Sequence, residues 1–225
     1  TFSRSVPTED ATFNYRSIEF DGADEYADAG TGLGDLLGDN YAGSLTASLW
    51  FKTDVTGGND GLFSISPFSG GHGVFQIRIK NSAIDASINT HAWIINSPFT
   101  DTGWNHVAFV YTTGSESDSK LYLNGVAVGT ASGSFPAAAS MDFAGLKTVI
   151  GGYHSAPSYL FDGNIDEVAV FDYALSAGQV ASIYNDYIPD GGVPSDLKEF
   201  SPVAWWRMGE DDDASGTTIT DLAAI

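Results

Sequence analysis

Cysteine is absent from this chain of 225 residues. That excludes a disulfide-stapled scaffold, thiol chemistry and cysteine-based zinc sites. Basic residues are scarce, 9 Lys and Arg against 29 Asp and Glu, for a net charge of −20. Such a surface repels phosphate, so neither nucleic acid nor anionic lipid is an expected partner. No apolar run is long enough to span a bilayer, and no secretory leader is visible. Asn-x-Ser/Thr acceptors are lacking as well, so glycosylation gives no information. What remains is a chain 43% hydrophobic and 13% aromatic, too rich in core formers to be disordered. A chain of this mass should fold to about 10,000 Å² of exposed surface, enough for one large core.

The dominant pattern has period two. In "SLTASLWF" Leu45, Ala47, Leu49 and Phe51 share one face, with Ser44, Thr46, Ser48 and Trp50 on the other. "VFQIRIK" sets Phe75, Ile77 and Ile79 against Gln76, Arg78 and Lys80, and "HVAFVY" aligns Val107, Phe109 and Tyr111. "KLYLNGVAVG" is two short strands about Asn124-Gly125, a pair suited to a tight hairpin because both residues tolerate positive φ. Many short strands between Gly, Ser and Asn clusters predict an all-β, antiparallel two-sheet sandwich. One short helix interrupts it late in the chain. Ser176 and Gln179 form a capping box, followed by a stripe of Val180, Ile183, Tyr184 and Tyr187.

Four stretches together resemble the laminin-G-like jelly roll of the concanavalin A-like lectin/glucanase superfamily. They are "SIEFDGADEYAD", "TGWNHVAFVYTTGSESDSKLYLNGVAVG", "GNIDEVAVFDYALSAGQVASIY" and "VAWWRMGEDDDASGTTITD". The variety is familiar in secreted bacterial proteins and marine phage structural proteins. It implies a mostly non-enzymatic fold serving adhesion, glycan contact or architecture. The domain is placed at residues 1–187, a Pro/Gly linker at 188–200 and a C-terminal strand segment at 201–225.

In the family the "VAWWRMG" type of segment normally comes first, before the "FDG" strand. Here it stands last, and only 17 residues precede Ile18. Three readings stay open. The segment fills its own sandwich, as in a circular permutant; it enters a neighbouring copy, building rings or filaments; or it begins a further repeat. Val203, Trp205, Trp206 and Met208 would carry the contact in the first two.

The resemblance also implies a structural Ca²⁺ between the "FDG" turn and the later "DE" strand, at Asp21, Asp24, Asn164 and Asp166. The competing reading makes Asp21-Gly22 a plain turn and Asp166 a local hydrogen-bonding residue. "DDDASG" spaces its carboxylates loosely like a calcium loop, but position twelve would be Leu222 rather than a bidentate glutamate. Glycosidase chemistry needs two carboxyl groups about 5–5.5 Å apart, or wider for inversion. Glu19 and Asp21 are the nearest approach to the superfamily's acidic strand motif, and Gly22 breaks it, so no catalytic residue is assigned. His106 reads as a structural residue at a strand start. Trp93, Tyr153, His154 and Tyr159 are candidate sugar-stacking residues, with packing beneath loops as the alternative.

The expectation is therefore a non-enzymatic extracellular structural or adhesive module, on a secreted surface or virion, assembling head-to-tail by exchange of its C-terminal strand. The alternative is a calcium-dependent, lectin-like module for a cell-surface polysaccharide.

Overall fold

The computed structural model describes residues 2–4, 16–55, 57–67, 75–88, 91–94, 101–131, 141–153, 159–186, 196–208, 221 and 223. It is an all-β sandwich of two antiparallel sheets with a six-residue helix, α1 (Gly32–Leu37), in its first part and one short helix near the C-terminal part. Its surface of 9696 Å² agrees with the area expected for one well-packed domain of this mass.

The eight-stranded sheet contains β1 (Phe2–Arg4), β2 (Arg16–Asp21), β4 (Leu45–Lys52), β9 (Asn105–Tyr111), β10 (Lys120–Leu123), β11 (Val126–Val128), β14 (Asp162–Phe171) and β15 (Ala204–Trp206). Their order is β1-β2-β14-β4-β9-β10-β11, with β15 on β14. The seven-stranded sheet contains β3 (Ala27–Asp28), β5 (Asn59–Ser66), β6 (Phe75–Lys80), β7 (Ala83–Ile88), β8 (His91–Ile94), β12 (Thr130–Ala131) and β13 (Lys147–Ile150). Here the order is β12-β8-β7-β6-β5-β13-β3. Between the sheets lies the main core. Leu45, Leu49, Phe51, Phe63, Ile65, Phe75, Ile77, Val107 and Phe109 are all fully buried in it. Apart from Phe63 and Ile65, these are residues that the alternation assigned to inward faces.

The expected hairpin is present, with Asn124 at φ +51° and Gly125 at φ +75°. Asn124 is tied in twice more. Its Oδ1 accepts from the His106 N–H (2.8 Å), and its Nδ2 donates to Asn105 Oδ1 (3.0 Å). The helix α2 (Ala177–Asp186) opens with the expected capping box, in which the Ser176 N–H donates to Gln179 Oε1 (2.9 Å) and the Gln179 N–H donates back to Ser176 Oγ (3.2 Å).

Helix α2 closes the outer face of the eight-stranded sheet. Val180 and Ile183 are buried there with Ala108, Val110, Ala169, Phe171 and Trp205 in a second apolar cluster. Tyr184 stacks on Trp50 at 5.5 Å between ring centroids; Tyr187 lies outside the described residues. His106 is sealed below, its Nε2 2.8 Å from Ser48 Oγ, and burial pushes its pKa down to about 3. The expected structural role is what the geometry shows.

The terminal segment occupies the chain's own sandwich. β15 pairs antiparallel with β14 through Val168↔Trp206, Ala169↔Trp205 and Val170↔Ala204. It continues the edge of β14 that β2 covers between Asp162 and Ile165. Side-chain alternation sends Ala204 and Trp206 into the main core and Trp205 into the second cluster, and Met208 is fully buried. Val203 packs half-buried against the main core, its N–H bonded to the Val170 carbonyl (2.8 Å). Before this strand a short 3₁₀ turn, Leu197–Phe200, buries Leu197 in the second cluster.

The receiving strand is shaped for this segment. β14 carries an irregularity between Asp166 and Ala169, and Glu167 sits there at φ +48°. The bulge turns the Glu167 carboxylate toward the segment. There it accepts from Trp205 Nε1 (2.7 Å) and Arg207 Nε (3.3 Å), while the Arg207 guanidinium lies 5.4 Å from the Trp205 ring. Asp221 adds a bond to the Trp205 N–H (2.8 Å).

Candidate functional site

One end of the sandwich gathers the turns β2–β3 and β6–β7, residues 53–55 and 57–58 between β4 and β5, and residues 151–153 and 159–161 between β13 and β14. Hydrogen bonds tie the residues between β13 and β14 to β5 and to one another here. The Gly61 N–H donates to the Tyr159 carbonyl (2.9 Å), Gly151 N–H to Leu62 carbonyl (3.1 Å), and Phe161 N–H to Gly151 carbonyl (3.0 Å). Gly61 has to be glycine, since a Cβ there would stand 2.3 Å from the Gly152 carbonyl carbon. The close approach lays Tyr153 over the outer face of the seven-stranded sheet.

Tyr153 is buried, and its hydroxyl accepts from Asn59 Nδ2 (2.8 Å) and Arg78 Nη1 (3.4 Å). Arg78 lies 5.4 Å from its ring centroid. On the other side Tyr159 stacks on Tyr153, with centroids 4.6 Å apart and planes within 9°. Tyr159 holds φ +72° and keeps 46% of its surface exposed. A non-glycine residue in that conformation costs of order 1–3 kcal/mol, which neighbouring contacts must offset. The result is a two-ring stack with an outer ring facing water and an inner ring anchored by charge and hydrogen bonds. Tyr26, also exposed, stands nearby, its Cβ 3.7 Å from where a Gly152 Cβ would lie.

Beneath the stack runs a polar patch that alternation alone assigns to solvent. Arg78 and Asp85 are cross-strand neighbours, joined at 3.0 Å and both buried. Gln76, Ser64 and Ser87 are buried in the adjacent row. Among the described residues, Asp85 Oδ1, Arg78 Nε and Ser87 Oγ have no hydrogen-bond partner.

The rim is acidic. Asp60 is drawn toward the neutral form, first by burial and then by the negative charge of Asp162, against a hydrogen bond from its neighbour Asn59. The Asp162 carbonyl accepts from Thr53 Oγ1 (2.6 Å), and Gly22 packs against the Asp162 side chain. Asp21 caps its own turn, accepting from the Ala23 N–H (2.8 Å) and the Asp24 N–H (3.4 Å), and the first of these bonds leads in holding its pKa down.

The four residues assigned to calcium are spread out. Asp21 pairs with Asp162, Asn164 with Glu19 and Lys52, and Asp166 with Trp50, so they occupy three successive same-face rows of β14 and its neighbours. Same-face rows are about 7 Å apart. Asp166 is buried and its Oδ1 accepts from the Glu167 N–H (2.8 Å), while Asn164 Nδ2 donates to Ser17 Oγ (3.2 Å). Asp24 is exposed on the turn. Among the described residues no three His, Asp or Glu side chains converge on a metal position. Glu19 is exposed between buried Ile18 and Phe20, as expected for a solvent-facing strand residue.

Of the four aromatic candidates the geometry unites two, Tyr153 and Tyr159. Trp93 belongs to β8, where its backbone pairs with Ala86, a residue of the core face. His154 lies outside the described residues. Sequence reading did not find Asn59, Arg78 or Asp85. A charged pair at directly facing cross-strand positions was the available signal, but only burial shows that it lies under a tyrosine.

Two antiparallel sheets closed on one core define a jelly-roll-like sandwich. The chain belongs to the laminin G family of the concanavalin A-like lectin/glucanases superfamily, whose model matches residues 21–181. No curated protein matches it in sequence. Among solved structures it is similar to a native heptameric SAP-like pentraxin from Limulus polyphemus, at 17% identity and TM-score 0.58 over 79% of this chain and 84% of that one. A putative carbohydrate-binding protein from Bacteroides ovatus is 16% identical with TM-score 0.62, over 94% of this chain and 55% of that one. The CBM40 of the Ruminococcus gnavus IT-sialidase is 18% identical with TM-score 0.55, over 75% and 97%. The shared feature is the fold, which is that of lectin and carbohydrate-binding domains.

Proposed function

We propose that this chain is a non-enzymatic carbohydrate-binding module acting outside the cell, and that its sugar contact is the loop end built on Tyr159. One observation carries the reading. Tyr159 exposes its ring while Tyr153, Asn59 and Arg78 fix it from behind. A rigid, exposed aromatic face offers stacking area to a sugar ring at little entropic cost. The acidic rim lies at the same end, and its carboxylates can accept hydrogen bonds from sugar hydroxyls. The names of the similar structures, one of them a carbohydrate-binding protein and another a carbohydrate-binding module, support this reading. Binding of the chain to immobilised polysaccharides, with Tyr159→Ala as control, tests it. Capture that the variant loses is expected, and no capture by either protein would refute it.

Assembly by exchange of the terminal segment is a second reading, suited to a secreted filament or virion. It is favoured by the specific lock among Glu167, Trp205 and Arg207, whose bonds a neighbour's segment would reproduce. Light scattering on the full chain and on a chain ending before Ser201 decides it. Multimers lost on truncation support exchange; a monomer that unfolds on truncation leaves the segment in its own sandwich. A structural Ca²⁺ at the acidic end is proposed on the family resemblance alone, and a rise in Tm with added Ca²⁺ would support it.

A further inference from the structure

The charge around the tyrosine stack narrows the class of ligand, given the glycan reading above. Asp21, Asp24, Glu25, Asp54, Asp60 and Asp162 lie on the turns and strand ends of this end. Facing them are two lysines, Lys52 closing β4 and Lys80 closing β6. The one guanidinium beside the stack, Arg78, is buried and held by Asp85 at 3.0 Å. On the neighbouring edge Lys147 is likewise paired, with Asp28. Among the described residues, an incoming carboxylate or sulfate thus meets no buried cation without a carboxylate partner, and it meets a net negative rim. Three of the exposed large apolar side chains, Tyr26, Val55 and Tyr159, stand on the same end, where they offer area to the apolar faces of sugar rings.

We infer that the ligand taken here is an uncharged oligosaccharide, and that sialylated, uronic or sulfated chains are rejected. Ionised carboxylates only accept hydrogen bonds, so the rim pairs with the hydroxyl donors of a neutral sugar. An acidic sugar presents its own acceptor-only group and adds like-charge repulsion. Discrimination of this kind works by a repulsive element as much as by an attractive one.

The test uses the full chain on an array of oligosaccharides in matched pairs, pentose and hexose, each neutral chain beside its uronic or sialylated counterpart. Affinities are read between about 0.01 M and about 1 M salt, where the screening length falls from ~30 Å to ~3 Å. The neutral member should bind about tenfold tighter at low salt, a difference of about 1.4 kcal/mol, and the gap should close as salt rises. Combining Asp60→Asn with Asp162→Asn should raise affinity for the acidic member severalfold while Tm stays within a few degrees. Equal or tighter low-salt binding of the acidic member, with its neutral partner also bound, would overturn the inference and leave the glycan reading standing. Failure of every pair at every salt would remove the glycan reading and this inference together.

Discussion

The two sheets share one core, and their outer faces have opposite characters. The eight-stranded sheet turns Ala108, Val110, Ala169 and Phe171 outward, and covers them with α2, Leu197 and Trp205. The seven-stranded sheet turns Ser64, Gln76, Arg78, Asp85 and Ser87 outward, in rows that lead to the tyrosine stack. An apolar outer face is an unfinished interior and has to be closed by more chain. A polar outer face needs partners for its buried groups instead, and here it leads to the end proposed above to bind sugar. On that proposal the first face sets stability, and the second serves recognition.

The sharpest way to break that division is to open the apolar side. Trp205→Ala should cost about 3–5 kcal/mol, the usual range for deleting a buried tryptophan, and it also takes the indole N–H bond from the buried Glu167 carboxylate. Urea unfolding should show the loss at an unchanged slope. Arg78→Met attacks the other side at a buried ion pair, leaving Asp85 buried without its arginine. A loss of about 3–5 kcal/mol is expected on chemical unfolding, and glycan capture should weaken with it, since Tyr153 loses its anchor.

A smaller effect follows from His106 beneath α2. Its imidazole is kept neutral down to about 3 by burial, whereas the unfolded chain protonates near 6.5. A folded value below the unfolded one gives stability that is complete above about 6.5. It declines as pH falls toward about 3, by up to ~1.4 kcal/mol per pH unit. His106→Gln should lower stability at neutral pH and flatten the slope across that window in pH-dependent unfolding. Tyr159→Ala should change stability least, within about 1 kcal/mol, because an exposed ring is removed and a positive φ is kept.

How much of this could be read from the sequence depends on whether a feature is local. The alternation in "SLTASLWF" and "HVAFVY" gave the inward faces, Asn124-Gly125 gave the hairpin, and Ser176 with Gln179 gave the helix start. Each is settled by neighbours within a few positions. "VFQIRIK" shows the limit. Its alternation separated Gln76 and Arg78 from the core correctly, yet both are buried on the far face, Arg78 against Tyr153. Tyr153 and Tyr159 were named as aromatic candidates, but nothing in their spacing says that two rings six positions apart stack at 4.6 Å. The bulge at Glu167 was equally hidden, since it becomes intelligible only with Trp205 and Arg207 beside it. Residues from distant parts of the chain meet there, and one-dimensional patterns carry no record of that meeting.

The central claim is that a supported, exposed tyrosine ring makes this end the sugar-binding face. Titration of the wild-type chain and Tyr159→Ala with whichever neutral oligosaccharide the array selects, alongside their melting temperatures, tests it most directly. The account predicts at least a tenfold loss of affinity in the variant at a Tm within a few degrees of wild type. Equal affinities of the two proteins for that sugar would contradict it.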